Sequence, residues 1–417
     1  MADDNKNVLI VGDGANAYAL ARKIYQNNKN KIYITGSQNL DLDFCEVVDI
    51  REDDLTGLLK FALDKDIFIT IPISETSLKA DIVSFFQTNG QNIFGPCKKS
   101  CQMMLNNSTC KKFLYKIHAQ NPKFGVFNKL QNAIDYLKQS NFPVIISSCE
   151  SSNISGADKL VIPSMSLASR FLEELFVNKS EQEVVIEDYI FGKNFVIYFV
   201  TDGYSALPIG ITGDYKFMQD DNSGIYTNGS GCYCPNYNIS KTLIERVHNI
   251  VDNILNSLAQ KDNPYIGIIG IEGVATGEDR FLITNLRPFL QNHDATAILN
   301  SVDENLLEIF NSCVNGFFSD EYQDIRLNNN SSVSVTVFSK KDNQTICGLD
   351  NIEDINNVDF INSEYKNGEY IAKQGAVFTL TRTSATLSRA REFLYEDLSE
   401  INFNGIQYRK DILQNKN

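Results

Sequence analysis

Tryptophan is absent from these 417 residues, and only three histidines occur, His118, His248 and His293. The nine cysteines are an odd number, and none stand in a C-x-x-C pair; the closest spacings are Cys97/Cys101 and Cys232/Cys234. So thin a supply of these ligands argues against a Cys/His metal site, and the cysteines read as small, reduced core residues. No apolar run approaches the ~18 residues that a membrane helix needs. The polar start MADDNKN is not a signal peptide. The expected location is cytoplasmic, with no membrane partner. Positive charge is also short. Thirty-eight Lys and Arg face 52 Asp and Glu, a net charge of −14, which argues against nucleic acid as a partner.

What is present is a globular composition, 43% hydrophobic and 11% aromatic, in a chain long enough for about two to four domains. Residues 8–11 form an apolar run followed by Gly12-Asp13-Gly14 and a helical pattern over 17–25. Strands are expected over 31–35, 67–71 and 92–94, with helices over 54–64 and 78–88. This β/α alternation predicts a parallel sheet covered on both faces. The Gly12-x-Gly14-x-x-Ala17 turn invites a dinucleotide reading, in which a helix N-terminus holds a pyrophosphate. However, the acidic residue expected after the second strand is missing, because Ile34 is followed by Thr35-Gly36-Ser37. Further on, helices are expected over 108–116, 130–139, 167–176, 243–258 and 388–398. Strands are expected over 143–147, 184–189, 266–274, 280–285, 333–338 and 376–381. Residues 195–200 and 205–211 read as a hairpin turning at Gly203, and 328–332 as a linker.

The stretch that organises the chain is 207–235. A short strand opens it, and a long loop crowded with Gly, Asp, Asn and Ser is expected to follow. Such a loop is too long for a tight turn and carries polar groups able to face a ligand. Gly224, Gly229 and Gly231 would let the backbone approach a bound molecule closely. Asp214 and Lys216, two apart, share a face of any extended segment. A solvated surface loop is the alternative reading.

In order, Leu207-Pro208, Asp214, Lys216, Asp220, Gly224, Thr227, Gly229, Gly231, Tyr233 and Pro235 resemble the substrate loop of the phosphoribosylamine–glycine ligases. That family of ATP-grasp enzymes reads roughly L-P…Q-D-H-K-R…D…T-G-G-M-G-Y-P there. Gly213, Tyr215, Phe217, Asn228 and Ser230 stand where the family has Gln, His, Arg, Gly and Met. Phe94-Gly95-Pro96 is in register, as is the run from Phe403 to Ile412, close to the family's F-x-G-x-x-Y-R-x-D-I-G. The resemblance spans 8–412. It implies an α/β fold with a Rossmann-like N-terminal domain over 1–97 and ATP-grasp α+β lobes over 98–183 and 184–327. The second lobe would carry the substrate loop, and a small β-rich domain would occupy 328–417.

The resemblance also implies a chemistry. ATP phosphorylates the carboxylate of glycine, and the amine of phosphoribosylamine displaces the phosphate; cations, a glycine loop and Mg²⁺-holding carboxylates serve the triphosphate. By register, Asp214 would hold the glycine ammonium, Lys216 and Arg287 the anions, and Asn285 the metal. Glu187 and Asp188 would border the adenine pocket. Gly12, Gly14, Thr227, Gly229 and Gly231 would shape the substrate sites. The departures from the pattern fall on the same functions. Asn107 and Ser147 replace the two phosphate lysines, and residues 149–156 replace the glycine loop, bringing Glu150 to the phosphates. Ile283 replaces the metal-binding Glu, with Glu272 and Glu278 near enough in sequence to compensate. Ala15, Asn16, Ala17 and Tyr18 replace Gly, Arg, Glu and His after the first turn, and Gly192-Lys193-Asn194 replaces G-E-E near the ribose. Two readings follow. One is an ADP-forming carboxylate–amine ligase using ATP and Mg²⁺ on glycine and phosphoribosylamine. The other is a degenerate homologue without cofactors that binds a ligand or a protein partner.

Overall fold

The computed structural model describes residues 6–28, 31–36, 42–148, 159–178 and 183–414. The N-terminal sheet is parallel, with Asn7–Val11 between Ile32–Thr35 and Ile67–Pro72, and Glu46–Val48 at the edge. Strand Asn7–Val11 is buried on both faces, and its side chains divide by parity. Val8 and Ile10 join one core with helix Ala15–Asn28, while Leu9 and Val11 join another with helix Leu55–Asp64. Period-two alternation between two covered faces is what a parallel sheet requires. The single helix expected over 78–88 is instead two, Glu75–Lys79 and Ile82–Thr88. Asp81 between them is left-handed (φ 62°), which breaks the hydrogen-bond ladder.

The first lobe has its own small core. Antiparallel strands Phe124–Phe127, Val184–Asp188, Val144–Ser148 and Lys159–Ile162 lie side by side in that order. Helices Leu130–Leu137 and Met165–Glu173 pack on them through Ala133, Leu137, Ala168 and Leu172.

One antiparallel sheet then runs through the rest of the protein. Its order is Phe281–Arg287, Ile266–Ala275, Lys193–Asp202, Ala206–Gln219, Ser223–Cys234, Ser331–Ser339, Gly375–Ser384 and Val358–Phe360, with Ile406–Gln407 beside Ser331–Ser339. Helix Lys241–Ala259 covers one face against Phe195, Ile197 and Phe199. Helix Ala295–Ser301 lies on the other, against Val196, Tyr198 and Val200.

Two expectations are corrected here. The long loop of 207–235 is a hairpin, with only the turn Asp220–Asn222 between its strands. Its glycines serve packing: a Cβ on Gly213 would fall 2.1 Å from the Tyr233 ring, and one on Gly231 would fall 2.3 Å from Ile412. The linker expected over 328–332 ends early, because Ser331 and Ser332 are buried and already belong to strand Ser331–Ser339.

Candidate functional site

Where the hairpin meets the second lobe, extended geometry turns Asp214 and Lys216 to the same side, and both are buried. The neighbouring strand Lys193–Asp202 adds Tyr198, the two strands beyond it add Glu272 and Arg287, and the loop after Arg287 adds His293 and Asp294. Lys216 Nζ lies 2.7 Å from Asp214 Oδ2 and 3.1 Å from Glu272 Oε2. Arg287 spreads its fork over three carboxylates, at 3.0 Å from Asp214, 2.8 Å from Glu272 and 2.8 Å from Asp294. It also donates to the Tyr198 hydroxyl at 3.0 Å, and that hydroxyl donates to Asp294 at 2.8 Å. His293 Nε2 is 3.0 Å from Asp214 Oδ1. Burial alone would raise the Asp214 pKa, but Lys216, His293 and Arg287 outweigh it and hold the carboxyl well below its ordinary range. Burial would likewise raise Glu272, and Lys216, Arg287 and Lys159 pull it below that range. Asp214, Lys216 and Arg287 are therefore brought together, each already paired within the protein.

A second buried group joins the two lobes. Glu187, 2% exposed and not at a solvated strand end, is clasped by Lys111 and has Lys159 Nζ at 3.5 Å. Lys111 also donates to the Thr284 carbonyl at 2.7 Å. Burial works against the Glu187 carboxylate, but the two lysines prevail and lower its pKa. Burial also works against the Lys159 ammonium, and Glu187, Tyr226 and Glu272 raise it instead. Asp188 is half-buried at the rim. Between the lobes remains a cavity of about 40 Å³, lined among others by Ile145, Lys159, Glu187, Tyr189, Phe217 and Tyr226. That is far below the ~300 Å³ at which small-ligand sites begin.

Sequence reasoning missed both lysines, although each stands near a position where a lysine was looked for. Lys111 is four residues after Asn107 on helix Asn107–Lys116, and Lys159 pairs across the sheet with Ser147. Asn107 itself donates to the Ser148 carbonyl at 3.1 Å. Residues 149–156, Glu150 included, lie outside the described residues. His293 and Asp294 were missed too, and their only signal was a rare histidine six residues beyond Arg287.

Among the described residues, the metal position does not fit a hard dication. Such an ion needs free oxygen ligands, yet Ile283 is fully buried in the apolar core and Glu272 is held by two cations. Asn285 spends its side-chain oxygen on Cys110 Sγ at 3.4 Å, and Glu278 is exposed in the turn.

The glycine turn at the N-terminal sheet is filled as well. Asn292 Oδ1 accepts from the Asn16 backbone N–H at 3.1 Å, the place at a helix start where an anion would bind. Asn16 in turn donates to the carbonyls of Ile73 and Leu290. A Cβ on Gly12 would meet Ile73 at 2.7 Å, and one on Gly14 would meet Asn292 at 2.7 Å. On the hairpin, Thr227 donates to the Lys216 carbonyl at 2.9 Å and accepts from Gly229 N at 3.1 Å. The His293 ring lies against Gly229, 2.1 Å from where its Cβ would stand.

Among the described buried residues of these two clusters, the carboxylates are Glu187, Asp214, Glu272 and Asp294. Facing them are the buried Lys111, Lys216 and Arg287, the half-buried Lys159 and the buried His293, so each carboxylate has at least one cation or imidazole beside it. Among the described residues, Lys111, Lys159, Lys216 and Arg287 each lie within ion-pair distance of a carboxylate.

The chain is similar to known proteins over nearly its whole length. Residues 6–104 match the N domain of phosphoribosylglycinamide synthetase, and residues 106–281 match its ATP-grasp (A) domain. The phosphoribosylamine–glycine ligases of Fusobacterium nucleatum and Caldanaerobacter subterraneus are each 28% identical to this chain over 97% of it, covering 97% and 99% of their own lengths. A crystal structure of phosphoribosylamine–glycine ligase from Thermotoga maritima superposes with a TM-score of 0.80 at 17% identity, over 97% of this chain and 99% of that one. A biotin carboxylase–β,γ-ATP complex from Campylobacter jejuni reaches 0.68 at 14% identity, over 96% of this chain and 92% of that one.

Proposed function

The chain belongs to the phosphoribosylglycinamide synthetase family, and from that premise we propose that it has kept the family's ATP-grasp fold without the ligation reaction, acting instead as a binding protein for a partner or ligand. The pairing of each cleft cation with a carboxylate carries this reading. A ligase of this family would need cations free to take a triphosphate, a carboxylate free to take the glycine ammonium, and oxygen ligands free for Mg²⁺. Here Lys111 and Lys159 are spent on Glu187, Asp214 is spent on Lys216 and Arg287, and Glu272 on the same two cations. Separating such buried pairs costs about 3–5 kcal/mol for each partner removed. A substrate would have to offset that cost several times over.

The ligase reading stays in view because of one observation. Lys111 and Lys159 bring two cations to the interlobe cleft close to the positions that Asn107 and Ser147 left without them. In that reading Asp214 would release Lys216 to take the ammonium of glycine, and Lys216 and Arg287 would turn to the anions.

A coupled ADP-release assay with glycine, phosphoribosylamine and Mg-ATP separates the two. The expected result is no turnover above the protein-free rate, and no rise in melting temperature with millimolar Mg-ATP. A ligand at a hundredfold excess over its Kd would add about 2.7 kcal/mol, so a rise of several degrees would show that Mg-ATP binds, and ADP release above the protein-free rate that depends on both glycine and phosphoribosylamine would install the ligase reading.

A further inference from the structure

The hairpin carries two aromatic rings into the cleft between the lobes. Phe217 and Tyr226 are cross-strand partners whose rings meet edge to face at 5.2 Å, and both line the small cavity. Lys159 Nζ lies 5.5 Å from the centre of the Tyr226 ring, a cation–π distance. Behind the rings, the hairpin is fastened to the end of the chain. Arg409, 1% exposed, donates to the Phe217 carbonyl at 3.1 Å and to Asn222 Oδ1 at 3.0 Å, while Asp411 grips its other side at 2.7 Å. Lys410 N donates to Asp220 at 2.7 Å, and Asp221 N donates to Asp411 at 3.0 Å. Ser230 donates to the carbonyls of Tyr215 and Phe217 at 3.0 and 2.7 Å, fixing the strand that bears the ring.

We infer that Tyr226, backed by Phe217, is a built-in occupant of the interlobe cleft and determines what the cleft admits. Its ring fills the space a planar ligand ring would need and offers its face to the Lys159 ammonium, while Glu187 pairs with both lysines. The inference rests on the reading of the protein as a non-catalytic family member, and it adds that the block is local and removable. A cleft cleared of these rings keeps Lys159 and an apolar wall that includes Ile145 and Val274. That combination suits a planar ring bearing phosphates.

The test is equilibrium binding of ATP, without added metal, to the full chain by titration calorimetry. Wild type is compared with Tyr226→Ser, with Phe217→Ala/Tyr226→Ser, and with the double variant carrying Lys159→Met. The double variant should bind ATP at least about tenfold more tightly than wild type and the single variant about threefold, and Lys159→Met should cut the gain for ATP while leaving that for adenosine in place. Adenosine should also gain from the double change, and pyrophosphate, which needs no room for a ring, should not. A folded double variant with unchanged ATP affinity overturns the inference, as does a gain seen with pyrophosphate alone. Should the double variant fail to melt cooperatively, Tyr226→Ser decides alone, since Tyr226 is only half-buried. ADP release by the wild type defeats the functional reading; unchanged affinity in an inert protein defeats only this inference.

Discussion

Replacing Arg287 with methionine probes the centre of the molecule. The guanidinium is tied to Asp214, Glu272 and Asp294 and to the Tyr198 hydroxyl, and it is 4% exposed. Methionine keeps much of the side-chain length but leaves three buried carboxylates to Lys216, which reaches Asp214 and Glu272, and to the His293 ring, 3.0 Å from Asp214 and 3.6 Å from Asp294. Removing one partner of a buried pair costs about 3–5 kcal/mol, a large share of the ~5–15 kcal/mol that holds a domain together. For a cooperative unit the size of the second lobe plus the C-terminal region, about 2–4 °C of melting temperature goes with each kcal/mol. The expected drop is therefore about 6–20 °C near neutral pH. The pH dependence has a definite sign. In the wild type Asp214 and Glu272 are held below the ordinary carboxylate range, so their stabilisation is complete above about pH 4–5 and fades only below it. In the variant, burial without the guanidinium pushes carboxyl groups upward, so they take up protons at milder pH. The deficit should be largest at about pH 7.5 and smaller at about pH 5. Urea denaturation at both pH values measures it. A loss under about 1 kcal/mol at the higher pH, or a deficit that widens in acid, would refute the cluster's structural role.

Three further outcomes are expected. Gly229→Ala sets a methyl group against the buried His293 ring and should cost about 1–3 kcal/mol in urea denaturation; a neutral result would mean the ring moves freely. Lys111→Met should be strongly destabilising, and a double-mutant cycle with Glu187→Gln should return a coupling of about 0.5–3 kcal/mol; a coupling near zero would show that the pair is not structural. Asp359→Asn weakens the bidentate contact to Arg22, at 2.8 and 3.0 Å, that fastens the first helix to the sheet edge. Calorimetry should then show the N-terminal domain melting ahead of the remainder, and a single unshifted transition would contradict this.

Much of the fold was legible because it follows from local periodicity. The alternation of Val8 to Val11 between two faces, the turn at Gly203 and the amphipathic helix Lys241–Ala259 each need only neighbouring residues to be read. The shared face of Asp214 and Lys216 was legible for the same reason. The hairpin was not, since its Gly, Asn and Asp content is that of a loop. Part of what fixes it is distant: His293 and Ile412 press against Gly229 and Gly231, while within the hairpin Tyr233 packs on its cross-strand partner Gly213. The lysines at Glu187 were hidden differently. Position-by-position comparison finds Asn107 and Ser147 lacking a charge, while folding supplies one from the next helical turn and one from the neighbouring strand. Pairing of Glu272 with Lys216 and Arg287 is likewise a tertiary fact, invisible until four strands are laid side by side.

The sheet that runs unbroken from the second lobe into the C-terminal region has a consequence for biosynthesis. Strand Ser223–Cys234 is complete about a hundred residues before its partner, Ser331–Ser339, is translated. At about 5–20 residues per second that interval lasts roughly 5–20 s. Throughout it the nascent chain presents an open strand edge, the kind of template on which other chains can pair. The rest of the sheet cannot close the gap from the N-terminal side, because the only cover for that edge is still in the ribosome. Chaperone demand during synthesis should therefore peak between these two strands. Truncations ending near residue 330 should aggregate, whereas those ending after Ser384 include both Ser331–Ser339 and its outer neighbour Gly375–Ser384.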